Sequence, residues 1–125
     1  MFQTDSLVMQ TAKKAIESTY TDTCDVIERH KVKVDGVTKF REVRVVKNQP
    51  CRLSFLSISQ TTQTDQGASL AQSTKLFISP DVAIKEGSKI VVTRDGNTLD
   101  FKQSGVPAVY GTHKEIMLEV FKEWA

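Results

Sequence analysis

Between residues 72 and 119 the chain repeats one pattern: a short apolar run, a turn signal, then another apolar run. Leu76–Ile78, Ile90–Val92 and Leu99–Phe101 are the runs, and Pro80-Asp81, Lys85-Glu86-Gly87-Ser88 and Asp95-Gly96-Asn97 are the signals. Runs this brief suit strands, because an apolar helix face needs ten or more residues to develop. Ile90–Val92 is placed to pair with Leu99–Phe101 across the Asp-Gly turn. Ile116, Leu118 and Val120 alternate as a strand does, while Met117, Phe121 and Trp124 have helical spacing; a strand to about Val120 accommodates more of the pattern. Closely spaced strands joined by turns predict a mainly β fold, a small antiparallel barrel or sandwich.

Upstream, Val32 and Val34 lead into Asp35-Gly36, and Val37–Val46 returns with β-branched residues, so Cys24–Lys47 reads as a hairpin. Pro50 punctuates, and Cys51–Ile58 reads as the next strand, with a slip of alternation at Phe55-Leu56 that a β-bulge would explain. The first residues differ. Leu7, Met9, Ala12, Ala15, Ile16 and Tyr20 lay a thin apolar stripe along a helix from about Asp5 to Ser18, with Thr4 or Asp5 as its cap. Gln60–Ser73 (QTTQTDQGASLAQS) has almost nothing to bury, and polar segments of that length are functional or disordered. The expected organisation is a single domain over 1–125: a helical arm over 1–20, a barrel over 22–125 and a long polar loop over 60–73.

With 125 residues there is material for one modest core. No apolar run approaches the length of a membrane span, and the first residues do not have the pattern of a secretory signal. A net charge of +2 is too small to imply a nucleic-acid partner for the chain as a whole. Cys24 and Cys51 sit in apolar runs, which favours buried free thiols over a disulfide.

Catalytic signatures are missing: there is no HExxH, CxxC, GxSxG or GxxxxGK. His113 and Glu115, two apart on a strand, would share a face. Without a nucleophile beside them they read as a structural hydrogen-bonded pair rather than an acid–base dyad. His30, between Arg29 and Lys31, reads as a solvated hairpin residue. No cofactor or metal is expected. Lys31, Lys33, Lys39, Arg41 and Arg44 crowd the hairpin. Three readings of them stay open: charges that keep an edge from aggregating, a dock for an acidic partner, or a surface meeting DNA phosphate. An OB-like nucleic-acid-binding barrel would add stacking aromatics, and only Phe40 is at hand.

The runs Pro50-Cys51-Arg52-Leu53-Ser54, Thr74–Pro80, Asp81–Ile90, Gly105–Tyr110 and His113-Lys114-Glu115 together resemble the head-closure family of long-tailed bacteriophages, also called head–tail connector, stopper or minor capsid proteins. The chain departs from many of those relatives just after Glu115, in Ile116-Met117-Leu118. No enzymatic activity is expected, since no acid, base and nucleophile converge, and the resemblance implies a small β-barrel with helical additions. It implies a ring of six or twelve copies between the portal or adaptor ring and the tail or tail-terminator, retaining packaged double-stranded DNA until ejection. The place implied is the neck of the virion, after synthesis in the host cytoplasm, with no membrane involved. It also implies a loop from each copy that projects into the channel. Gln60, Thr61, Thr62, Gln63, Thr64, Asp65, Gln66, Gly67 and Ser69 are the candidates for that gate. The main rival is the OB-like nucleic-acid-binding barrel, and an adaptor or tail-terminator ring in the same virion is the second.

Overall fold

Two Asp-Gly pairs set the tightest turns. Asp35 and Gly36 take φ of 53° and 77°, and Asp95 and Gly96 take 51° and 79°. Positive φ at both central residues gives a turn whose twist matches paired strands, and aspartate and glycine tolerate it best. The computed structural model describes residues 2–59 and 70–125. The elements are α1 (Phe2–Glu17), β1 (Asp22–Val34), β2 (Val37–Ser59), β3 (Leu70–Ile78), β4 (Lys89–Arg94), β5 (Asn97–Gln103), β6 (Ala108–Val109) and β7 (Lys114–Val120). No helix among the described residues is long and apolar enough to cross a membrane.

All strand pairings are antiparallel. The order is β3-β2-β1-β4-β5-β7-β6, and a further pairing of β3 with β7 brings the sheet round on itself. Inside lie Cys24, Cys51, Leu53, Leu76, Ile78, Ile90, Val92, Phe101, Ile116 and Leu118, with Val82 and Ile84 of the β3–β4 connection packed against them. The alternation visible in Leu76/Ile78, Ile90/Val92 and Ile116/Leu118 is therefore the inward face of three strands. Both cysteines are buried and free. A hydrogen bond with the Cys24 thiol and burial together push the Cys51 thiol far above its ordinary range, so it stays protonated.

Several expectations are corrected. No break falls at Pro50: hairpin arm and following strand are one 23-residue strand, β2. β3 pairs with β2 only from Cys51 onward, so Pro50 has an unpaired flank, where a missing N–H is tolerated. Nor is there a bulge at Phe55-Leu56, since the β2–β3 register runs unbroken from Cys51↔Ile78 to Ser59↔Leu70. The alternation slips there because β3 leaves β7 at Thr74, and past that point the hairpin has no inside; Phe55 and Leu56 are both exposed. The polar stretch shortens as well, because Leu70–Ser73 belongs to β3. The helix starts at Phe2, so Thr4 and Asp5 lie within it rather than at its cap. Phe2 stands seven residues before Met9, which carries the periodicity further back than Leu7.

The irregularities of β2 lie elsewhere. Cys24 pairs with Gln49, Val26 with Val46 and Ile27 with Arg44, so β2 carries extra residues around Val45 and around Lys47-Asn48. Asn48 has φ of 49°. The Asp25 carboxylate holds this bend: Oδ1 accepts the Asn48 N–H at 2.7 Å, and Oδ2 lies 3.2 Å from Arg44 Nε. Asp25→Ala is expected to destabilise the fold by about 1 kcal/mol, less than the ~1.5–3 kcal/mol of hydrogen bonds to charged groups because solvent reaches both Asp25 and Arg44. Urea unfolding of the purified variant measures it, and an unchanged midpoint would remove Asp25 from this role.

Candidate functional site

β2 is longer than the closed sheet needs, and both of its ends leave it. At its start, β4 accompanies β1 only over Thr23–Ile27, so Glu28–Val34 of β1 and Val37–Val43 of β2 continue as a two-stranded ribbon. At its end, Leu56–Ser59 and Leu70–Ser73 remain paired after β3 has parted from β7, making a second ribbon. The second ribbon leads to residues 60–69. The gate candidates Gln60, Thr61, Thr62, Gln63, Thr64, Asp65, Gln66, Gly67 and Ser69 lie outside the described residues.

The basic residues of the first ribbon divide between its faces. Opposed pairs in an antiparallel ladder share a side, and successive pairs alternate. Arg29↔Glu42, Lys31↔Phe40 and Lys33↔Thr38 therefore form one face; His30↔Arg41, Val32↔Lys39 and Val34↔Val37 form the other. Arg44 stands at the root, paired with Asp25. Phe40 is not core: it is 52% exposed, with the Arg29 guanidinium 3.8 Å from its ring centroid. Trp124 reaches the root of the same face, its indole N–H donating to Glu42 Oε2 at 3.3 Å. His30 is taken by Glu28, Nε2 to Oε1 at 2.8 Å.

His113 and Glu115 do meet. Nε2 of the imidazole is 2.8 Å from Glu115 Oε2, and Nδ1 is 3.0 Å from Thr112 Oγ1. Tyr110 stacks on the ring at 4.8 Å, and Lys75 Nζ donates to Glu115 Oε1 at 3.0 Å. With both ring nitrogens engaged, the imidazole has no free lone pair for proton abstraction. Hydrogen bonds from His113 first, then Lys75, hold the Glu115 carboxyl below its ordinary 4.5. Its stabilisation is thus full above pH 4.5 and lost as pH falls through the lower value it has in the fold. Among the described residues, no group of three or more His, Cys, Asp or Glu side chains is placed to hold a metal ion.

The cluster also has a roof. α1 rests on this region through Met9, which touches Gly111, and through Lys13, which pairs with Asp81. Ala15, Ile16, Thr19 and Tyr20 face Arg52, Phe77 and His113 across a cavity of about 370 Å³. Leu7 and Val8 point away and are exposed. Lys75, Phe77, Arg52 and Tyr110 figure in the sequence only within the runs that carry the resemblance, with nothing to mark them as neighbours of His113 and Glu115. The Arg52↔Phe77↔Glu115 row exists only through strand register, for which the sequence carries no short-range signal.

No protein-family model matches this chain, and no curated protein does. Its architecture does recur. The fold is shared with a phage-element protein. The phage-like element PBSX protein xkdH from Bacillus subtilis superposes with a TM-score of 0.51 at 12% identity, over 82% of this chain and 96% of that one. At such identity the likeness to xkdH is one of fold, and it spans nearly all of the xkdH chain.

Proposed function

We propose that this chain is a non-enzymatic structural protein of a bacteriophage neck. In this reading its copies form a ring, six or twelve in number, between the portal or adaptor and the tail or tail-terminator. The ring closes the head and retains packaged double-stranded DNA. The observation that carries this reading is the ribbon of Leu56–Ser59 with Leu70–Ser73, which stays paired after β3 has parted from β7 and whose two strands flank the polar stretch 60–69 in the sequence. A fold shared with a phage-element protein supports the setting. A ring of identical subunits needs one surface matched to a different one on its neighbour, and the exposed Leu7 and Val8 of α1 offer one such surface.

The test replaces residues 60–69 by an Asn-Gly turn in the phage that encodes the chain. Heads and tails are expected to form and join, while nuclease-protected DNA per particle falls more than tenfold. Unchanged DNA content would overturn the gate, and density for this chain away from the head–tail junction in a particle reconstruction would overturn the neck. A nucleic-acid-binding barrel is the second reading, favoured by exposed Phe40 beneath Arg29 on a basic ribbon.

A further inference from the structure

The β1–β2 ribbon carries more positive charge than the whole chain. From residue 28 to 44 stand Arg29, Lys31, Lys33, Lys39, Arg41 and Arg44 against Glu28, Asp35 and Glu42, a balance of +3 (six minus three) where the full chain has +2. Arg44 is paired with Asp25, and Glu28 is engaged by His30. Lys31, Lys33, Lys39 and Arg41 have no ion pair among the described residues, and all four are exposed. Beyond Ile27 the strands pair only with each other, so nothing in the sheet flanks them.

We propose that this ribbon is a contact for double-stranded DNA, entering the major groove with cations toward both phosphate backbones. The division of charge decides between partners. Lys31 and Lys33 lie on one face with Phe40 and Thr38, and Lys39 and Arg41 on the other with Val32 and His30. A flat acidic protein surface would meet one face and leave the other pair in solvent. A major groove, about 12 Å wide, admits a two-stranded ribbon and has phosphates along both sides. Lys85–Ser88 and Trp124 border the ribbon as far as Lys31 and Phe40, so Val32–Val34 is the part of β1 that stands clear. That is a reach of about 10 Å at ~3.3 Å per residue, against a groove about 8.5 Å deep. Backbone contacts of this kind carry affinity without sequence preference.

This inference rests on charge placement and stands apart from the neck assignment. The test uses the full chain and a labelled 30-base-pair duplex, with binding followed by fluorescence anisotropy across a salt series. Four phosphate contacts predict a slope of log K on log salt of about −3.6, which is a ~150-fold loss between 50 and 200 mM. Lys31→Glu with Lys33→Glu, and separately Lys39→Glu with Arg41→Glu, are each expected to weaken binding more than tenfold. Each pair should flatten the slope by about 1.8. Lys14→Glu with Lys122→Glu, off the ribbon, should change affinity less than threefold. No binding at 50 mM salt overturns the proposal, as does an effect confined to one face. Equal affinity for a polyglutamate peptide would also overturn it and move the partner to an acidic protein. Loss of DNA binding with particles still assembled would leave the neck reading intact.

Discussion

Arg94→Met is expected to destabilise the fold by about 3 kcal/mol at pH 7, more than Asp22→Asn. Asp22 opens β1 and is 3% exposed; Arg94 closes β4. The guanidinium donates to both carboxylate oxygens, at 3.1 and 3.0 Å, and to the Leu53 carbonyl; the Leu53 N–H donates to Asp22 Oδ2 at 2.9 Å. One knot thus ties β1, β2 and β4 where their strands converge. Removing the cation strands a buried carboxylate, and a broken buried pair costs ~3–5 kcal/mol; the lower end applies because the arginine is partly exposed. Asp22→Asn leaves an arginine that can take up water and keep its bond to the Leu53 carbonyl, for a cost of about 1–2 kcal/mol.

The sign of the pH dependence separates this electrostatic cause from lost packing. Burial alone would raise the Asp22 carboxyl; the bonds from Arg94 and the Leu53 N–H outweigh it and hold the group below its ordinary 3.8. In the wild type its stabilisation is complete above pH 3.8 and is lost as pH falls through the lower folded value. In Arg94→Met the same carboxyl is buried without its cation, so its pKa moves above 3.8 and the variant gains stability as pH falls. The gap between the two proteins is therefore expected to narrow from pH 7 to pH 4. Urea unfolding at both pH values measures it, and an equal gap would assign the loss to packing instead.

What the sequence made legible follows from the range over which its signals act. Asp35-Gly36 and Asp95-Gly96 determine their turns through their own φ angles, so both hairpins were readable. Ile116 and Leu118 point inward because alternation is local, and the strand reading of that segment holds. Errors arose where a distant strand decides the outcome. Phe55-Leu56 looked like a bulge because both are apolar, but β7 ends its pairing with β3 at Leu118↔Thr74 and leaves the ribbon without an inside. Leu70–Ser73 looked like loop for the same reason, since a ribbon outside the core needs no apolar face. His113 and Glu115 were found from their spacing of two, whereas Lys75, forty residues away, reaches Glu115 only because β3 lies beside β7. The sorting of the ribbon's cations onto opposite faces is likewise a matter of register, which composition cannot show.

Leu76→Ala is expected to lower stability by about 3 kcal/mol and the melting temperature by roughly 12 °C, within the ~2–5 kcal/mol span of buried leucine truncations. Leu76 pairs across β3 with Leu53 of β2 on one side and Ile116 of β7 on the other, and all three side chains are essentially inaccessible. That row spans the β3–β7 pairing through which the sheet returns on itself. A cavity there loses contacts on two strands at once, and the pleated backbone has little freedom to collapse into it. Against a total stability of ~5–15 kcal/mol, the loss is large enough to populate open forms in which β3 and β7 part. Hydrogen exchange should then quicken first in Thr74–Ile78 and Lys114–Leu118, the residues of that pairing. Leu56→Ala is the matched control: the residue lies on the same β2–β3 hairpin but is 61% exposed, and its truncation should shift the midpoint by less than ~0.5 kcal/mol. Equal losses for the two variants would mean that the ribbon beyond Thr74 packs as firmly as the core, and the second ribbon would then not stand clear of the sheet.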